Sequence, residues 1–403
     1  MAHLNVGLFG LGTVGEGIVK VVNRARNVDA EIKKICVRDA SKHRNVDVDP
    51  ALITENRYDI LDDPNINLIV EVISDPDAAF EIVSEALKRG IPVVSGSKTM
   101  IARHLPELIE LQKKHNVSLL YDASSCGSIP VIRNLEEYYD NDLLLEVKGI
   151  LNGSSNYILS RVFDHNESYE NALKTAIEMG FAEADPSFDI EGFDSLYKLI
   201  IITVHALGVY VKPEDIFTYG ITHISDFDIN LAREKRVKIK LVAQVVKLEG
   251  NKFTMFVMPE FVVKNRYIYS VDNEYNGVVI RGECYDRQFM FGKGAGSLPT
   301  ASSILSDMVA HHRGYSYVYK KMNYEDTPVY TTDVLLKVYV RFKDTPITDL
   351  LPFTVIKERY NSRKCNYVVG DINLKDLIAN REILNRPDVF ICNISRFFRD
   401  IDD

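Results

Sequence analysis

Along the first 130 residues, short apolar runs alternate with longer stretches in which apolar positions recur every three or four residues. The runs Leu4–Phe9, Ile32–Val37, Leu68–Ile73, Pro92–Ser95 and Ser118–Tyr121 read as buried strands, and Ala78–Arg89 and Leu105–His115 carry the clearest helical period between them. Strand and helix in alternation predict a parallel, doubly wound sheet of Rossmann type. From 131 to 295 the pattern changes. A long apolar helix over about Phe193–Val209 precedes strands at Lys238–Leu248, Phe253–Val257 and Gly277–Arg281, which predicts a second, α+β domain with a mixed sheet. Helical periodicity at Thr300–Ala310, within about 296–320, returns to the first domain. A third unit over 328–403 reads as strand Tyr330–Phe342, helix Ile347–Tyr360, strand Asn366–Asp371, helix Leu374–Leu384 and strand Val389–Ile394. It follows a charged, proline-containing connector from Lys320 to Pro328, read as a hinge. Truncation near residue 325 is therefore expected to leave a soluble protein. The fold class is α/β, with domains at 1–130, 131–295 and 328–403.

The first strand runs straight into Gly10-Leu11-Gly12-Thr13-Val14-Gly15, a G-x-G-x-x-G spacing, and then into a helix-like stretch. A strand that turns sharply into a helix gathers backbone N–H groups and the positive end of the helix dipole at one point, which suits a pyrophosphate. Gly10 allows the tight turn, Gly12 the approach of backbone to phosphate, and Gly15 close packing of helix on strand. A merely structural glycine turn is the alternative. The second strand ends Cys36-Val37-Arg38. An arginine there accommodates the 2′-phosphate of NADP, whereas the following Asp39 suits the ribose hydroxyls of NAD, so both cofactors stay open.

Composition narrows the class. At 403 residues the chain exceeds one ordinary core, and its net charge of -9 argues against nucleic acid or an anionic membrane as partner. The longest apolar run, Leu199–Val204, is far too short to span a bilayer, and no secretory signal is evident. The five cysteines are scattered and never spaced as C-x-x-C, which implies a reduced, cytoplasmic chain without a zinc site.

Between Gly180 and Lys198, five carboxylates (Glu183, Asp185, Asp189, Glu191, Asp194) precede a lysine. Asp194 and Lys198 stand four apart and share a helix face. If Phe193 opens the helix, Lys198 lies toward its buried side. A buried lysine flanked by anions is a candidate for proton transfer, because desolvation favours its neutral form and the anions its charged form. The plain alternative is a surface ion pair worth a few tenths of a kcal/mol. The following Leu-Ile-Ile-Ile run weakens that alternative.

Over nearly its whole length the sequence resembles the homoserine dehydrogenase family. Gly180–Lys198 fits the family's long signature from G-[YF]-x-E-x-D-P through D-x-x-G-x-D to the lysine. Asn152–Ile158 fits N-G-T-T-N-Y-I, with Ser154 and Ser155 for the threonines; Gly292–Ala301 fits G-x-G-A-G-x-x-P-T-A, and Val93–Lys98 fits V-V-x-x-x-K. The resemblance implies reversible reduction of L-aspartate 4-semialdehyde to L-homoserine by NADPH or NADH, a step of threonine, methionine and isoleucine biosynthesis. It makes Lys198 the proton donor or acceptor and puts Lys98 between nicotinamide and substrate. Glu183 and Asp194 hold the amino acid, with Asp189 close by, and Asn152, Gly153 and Ser154 line the same pocket. Gly10, Gly12, Thr13, Val14, Gly15, Arg38, Ser95, Lys98 and Gly296 fall at cofactor positions. A monovalent cation, Na+ or K+, falls on Asp122, Ser125, Gly127 and Ile129. The resemblance further implies a homodimer or homotetramer.

The sequence departs from the family at Ser97 (usually Asn), at Ser74-Asp75 (usually Gly-Gly) and in the cation loop, Ser124–Ser128. Where many relatives carry an ACT domain, a ferredoxin-like unit that binds an amino-acid inhibitor such as threonine, residues 328–403 read one strand short of that pattern. An aspartate-semialdehyde dehydrogenase needs a cysteine nucleophile. Cys126 is the only cysteine near the expected site, and no histidine is recognisably paired with it. A catalytically silent NADP-binding sensor would lack Lys98 or Lys198, and both are present.

Overall fold

The apolar runs of the N-terminal third become the strands of one six-stranded sheet: β1 (Leu4–Phe9), β2 (Ala30–Cys36), β3 (Ile53–Thr54), β4 (Leu68–Glu71), β5 (Val93–Ser95) and β6 (Leu119–Leu120). Their order is β3-β2-β1-β4-β5-β6 and every pairing is parallel. The computed structural model describes residues 3–26, 28–141 and 143–394. Its chain divides into two compact units. One comprises Met1–Asp140, Ile200–Tyr210 and Gly292–Glu325; the other comprises Asn141–Leu199, Val211–Phe291 and Asp326–Asp403. The chain passes from the second unit into the first within the Phe193–Leu207 helix.

In the first unit, β4 is buried along its whole length, as a strand covered on both faces requires. The Thr13–Arg24 helix turns Ile18, Val19 and Val22 inward. The Ser297–His312 helix packs against it so closely that a Cβ on Gly17 would lie 2.5 Å from the Ser297 carbonyl oxygen. Gly292–Glu325, with this late helix, belongs to the first unit.

The second unit is built on a mixed sheet of β7 (Leu144–Ile150), β8 (Phe217–Thr218), β9 (Val237–Leu248), β10 (Lys252–Val263), β11 (Tyr275–Gly282), β12 (Asp286–Lys293), β13 (Val329–Tyr330), β14 (Leu335–Phe342), β15 (Val355–Asn361), β16 (Asn366–Asn373) and β17 (Phe390–Ile394). Its order is β12-β11-β7-β9-β10-β17-β14-β16-β15, with β8 and β13 also pairing β10. The β9–β10 hairpin, paired from Lys252↔Leu248 to Val263↔Val237, forms its spine. Among the described residues no helix is long and apolar enough to cross a membrane.

Three expectations for the C-terminal region are corrected. The helix read over Ile347–Tyr360 is a single turn, Ile347–Leu350, followed by the strand β15. Pro352 disfavours helix at Leu351, and the charged, largely exposed Lys357-Glu358-Arg359 suits an edge strand that pairs only β16. The strand read over Tyr330–Phe342 is two, β13 and β14, so the described part of the region has five strands, not three. Nor is it separable. It lies within the second unit, where β17 pairs β10 at Glu260↔Asn393 and Phe261↔Ile394. Buried Arg341 on β14 holds the equally buried Asp228 through Nε at 3.2 Å, and Tyr339 donates to the same carboxylate at 2.7 Å. The connector is not a free hinge. Buried Lys321 donates to the carbonyls of Leu135 and His205, both at 2.9 Å, and Asn251 donates to the Asp326 carbonyl at 3.1 Å. The last residues of the expected module, 395–403, lie outside the described residues.

Candidate active site

In the first unit the chain leaves β1 through Gly10, whose φ of +99° lies in the left-handed region where a side chain is strained. Val72 would also obstruct a Cβ there, since its carbonyl oxygen lies 2.9 Å from that position. At Gly15 a Cβ would meet the Gly10 carbonyl oxygen at 2.2 Å, so the helix seats on the turn only with glycine there. Gly12 differs. Its φ of -89° is ordinary and nothing lies within 4 Å of the Cβ position. Space in front of an uncapped helix start, unneeded by the protein's own packing, fits a phosphate drawn close to the backbone. Gly296 begins a second uncapped helix, and the hydroxyl of the next residue, Ser297, donates to the Thr13 carbonyl at 2.7 Å. Two helix N-termini thus meet at one turn, with Thr13 and Val14 opening the first.

Arg38 is exposed just beyond β2. The Asp39 carboxylate beside it is engaged locally: Oδ1 accepts from the Ser41 hydroxyl at 2.6 Å and from its N–H at 2.9 Å. Those bonds hold the Asp39 carboxyl below its ordinary range. Ser95 closes β5 and Lys98 opens the Lys98–His115 helix, so both stand at the same carboxyl edge of the sheet as the glycine turn.

The cation-loop residues are also in this unit. The Asp122 carboxylate accepts from the N–H groups of Ile132 and Arg133 at 2.9 and 3.0 Å, and burial beside Asp307 raises its pKa. Gly127, at φ +55°, lies against the Gly294 carbonyl, and Ser128 N–H donates to the Lys293 carbonyl at 3.0 Å. Ile129 N–H donates to the Cys126 carbonyl at 3.0 Å. The Ser125 hydroxyl is buried with no hydrogen-bond partner among the described residues. Cys126 is wholly buried in the same short helix, a poor place for a nucleophile.

The second unit gathers the charged signature. Lys198 is buried, and its Nζ donates to Asp194 Oδ2 at 2.8 Å and to the Leu151 carbonyl at 2.6 Å. Asn152 links the carboxylates, its Nδ2 donating to Asp189 Oδ1 at 2.7 Å and to Asp194 Oδ2 at 2.9 Å. Asn152 also caps the Gly153–His165 helix by accepting from Ser155 N–H at 2.7 Å. Gly153 must be small, because a Cβ would meet the Glu274 carbonyl oxygen at 2.7 Å. Ser154 donates to the Phe181 carbonyl at 2.6 Å, tying this turn to the start of the carboxylate-rich loop. Burial, and then the Asp194 charge, raise the pKa of Asp189 against its bonds to Ser154 and Asn152. Glu183 is exposed and makes no hydrogen bond or ion pair among the described residues. Lys198, Asp194, Asn152 and Asp189 therefore form one cluster, with Glu183 outside its hydrogen bonds.

Residues 130–309 match the homoserine dehydrogenase family, and residues 10–122 match the NAD-binding domain of homoserine dehydrogenase. The homoserine dehydrogenase of Bacillus subtilis is 35% identical over 317 residues, covering 77% of this chain and 73% of that one. This chain belongs to the homoserine dehydrogenase family. The fold agrees. The crystal structure of a homoserine dehydrogenase from Thiobacillus denitrificans superposes with a TM-score of 0.83 at 30% identity, covering 98% of this chain and 99% of that one. For the S. aureus enzyme at pH 7.5 the TM-score is 0.74 at 28% identity, with 98% and 100% covered.

Within this family member, sequence reasoning missed three contributors. Asn276 donates to the Leu151 carbonyl at 2.8 Å, the same oxygen that receives Lys198. Asp75, where the family has glycine, caps the Pro76–Lys88 helix by accepting from Asp77 and Ala78 N–H groups; an Asp-Pro pair before a helical run signals such a cap. Glu71, at the end of β4, is fully buried and hydrogen-bonded to Ser95, and burial pushes its carboxyl up to about 7.

Proposed function

We propose that this homoserine dehydrogenase reduces L-aspartate 4-semialdehyde reversibly to L-homoserine, with Lys198 giving the aldehyde oxygen its proton and taking it back in the reverse direction. The observation that carries the reading is the buried Lys198–Asp194 pair at 2.8 Å, with the Leu151 carbonyl as a second acceptor. A lysine so held presents its remaining donor capacity in one direction, out of competition with bulk water. A proton donor placed in this way contributes roughly 10²–10⁴-fold to the rate. Glu183 and Asp194, with Asp189 close by, supply negative charge for the substrate's ammonium group, and Asn152 holds Asp189 and Asp194 in place by donating to both.

The glycine turn and the two uncapped helix starts fit a dinucleotide pyrophosphate, and the bound cofactor supplies the hydride. Arg38 favours NADP(H), because the Asp39 carboxylate is already bonded to Ser41. Lys98 is the second cation of the reaction. The orphaned Ser125 hydroxyl, with the carbonyl-rich loop over Asp122, Gly127 and Ile129, fits a hard monovalent cation such as Na+ or K+.

Residues 335–394 support an ACT-like, ferredoxin-like module: strand, helix, two strands, helix, strand, in the spatial order β17-β14-β16-β15. Threonine is the effector to test, by calorimetry on the full chain.

The deciding experiment supplies L-aspartate 4-semialdehyde and follows NADPH and NADH oxidation, with product analysis. Stoichiometric L-homoserine, formed faster with NADPH, is the expected result. Oxidation without homoserine, or no turnover, overturns the reading.

A further inference from the structure

The last residues of β4 and β5, Glu71 and Ser95, are register partners in the parallel sheet. Glu71 is fully buried, and both of its oxygens are used: Oε1 accepts from Ile73 N–H at 2.6 Å and Oε2 from the Ser95 hydroxyl at 2.6 Å. Neither partner is a cation. An apolar side chain would fill this place without the cost of desolvating a carboxylate. What the carboxylate adds is an acceptor for two donors from two neighbouring strand ends.

The chain of bonds continues beyond Ser95. Its hydroxyl accepts from Ser97 N–H at 3.1 Å, and Gly96 N–H donates to the Glu71 backbone carbonyl at 2.9 Å. Ser97 occupies the cap position of the Lys98–His115 helix but makes no side-chain cap bond. The turn therefore takes its order from Ser95, and Ser95 from Glu71. We infer that Glu71 is a positioning residue for the reaction: by holding Ser95 it fixes the turn from which the Lys98 side chain is presented. A displacement of about 1 Å in such a group can cost roughly 10²-fold in rate. This inference rests on the reading of Lys98 given above.

The test is a double-mutant cycle on the full chain, with Glu71→Gln, Lys98→Ala and the double variant compared for kcat, KM for aspartate semialdehyde and NADPH affinity. Glu71→Gln is expected to lower kcat about tenfold or more while leaving KM and cofactor affinity within about threefold, since a positioning defect acts on the reacting geometry. In the Lys98→Ala background the same substitution is expected to change kcat less than about twofold. An equal factor in both backgrounds, or an unchanged kcat in folded Glu71→Gln protein, overturns the inference. Full turnover in Lys98→Ala instead overturns the assignment of Lys98, and this inference with it, whatever Glu71→Gln does. If Glu71→Gln does not fold, Ser95→Ala carries the kcat comparison of the same cycle, because it leaves the carboxylate and its Ile73 bond in place; NADPH affinity is not compared there, since Ser95 itself falls at a cofactor position.

Discussion

The turn after β1 that fits a pyrophosphate is built of backbone, while the cluster at the start of the Phe193–Leu207 helix is built of side chains. The glycine turn needs absent Cβ atoms at Gly10 and Gly15 for its own packing, and leaves open space only at Gly12. The Lys198 cluster needs particular functional groups from two separated stretches, around Asn152 and from Asp189 to Lys198. A backbone site tolerates change wherever the chain can still turn. A side-chain site fails when one partner of a buried charge is removed, because the other is left unpaired.

Four substitutions and one pH dependence sharpen that contrast. The largest effect belongs to Lys198→Ala, for which kcat falls by roughly 10²–10⁴-fold in steady-state turnover of homoserine. Next comes the pair Gly15→Ala and Gly12→Ala. Gly15→Ala forces a contact of 2.2 Å with the Gly10 carbonyl and lowers thermal stability, by about 1–3 kcal/mol. Gly12→Ala leaves the melting temperature unchanged and weakens NADPH about tenfold or more by keeping phosphate off the helix start. If the two glycines behave alike, the distinction between packing and binding glycines is wrong. Arg38→Ala weakens NADPH by about 1.5–3 kcal/mol, the range for a hydrogen bond to a charged group, and spares NADH. Equal losses for both cofactors reduce Arg38 to a loop support.

The last expectation concerns pH. Glu71 has its folded-state pKa raised from 4.5 to about 7. The folded state then holds this proton more tightly than the unfolded chain does. Its stabilising contribution is fully present below about 4.5 and is lost as pH rises through 7, at most about 3 kcal/mol. Thermal melts of wild type and Glu71→Gln across that window should differ in slope, the variant being flatter. Parallel curves contradict the assignment.

The contrast also explains what could be read from the chain. A G-x-G-x-x-G turn is contiguous and its residue types follow from backbone geometry, so the cofactor end was legible before any fold was known. The Asp194–Lys198 pair was legible as a helix face for the same reason. Asn152 joined it only through the family resemblance, since 42 positions separate it from Asp194. Glu71 was hidden because it sits inside the apolar run Leu68–Ile73, which reads as one strand, whereas the strand that forms stops at Glu71. Its partner Ser95 becomes adjacent only when β4 and β5 pair. The strand β15 escaped because an edge strand with one side in water carries charges at successive positions and has no apolar alternation to betray it. Arg341 and Asp228 are 113 positions apart, so nothing local announced the bond that binds the C-terminal strands into the second unit.

In the function proposed above, the first unit holds the cofactor and presents Lys98, and the second holds the amino acid and supplies the proton from Lys198. The most direct test of that division is the NADPH dissociation constant of Lys198→Ala protein, measured by cofactor fluorescence without substrate. A value within about twofold of wild type, in protein that has lost turnover, is what the account predicts. A dissociation constant raised tenfold or more would contradict it.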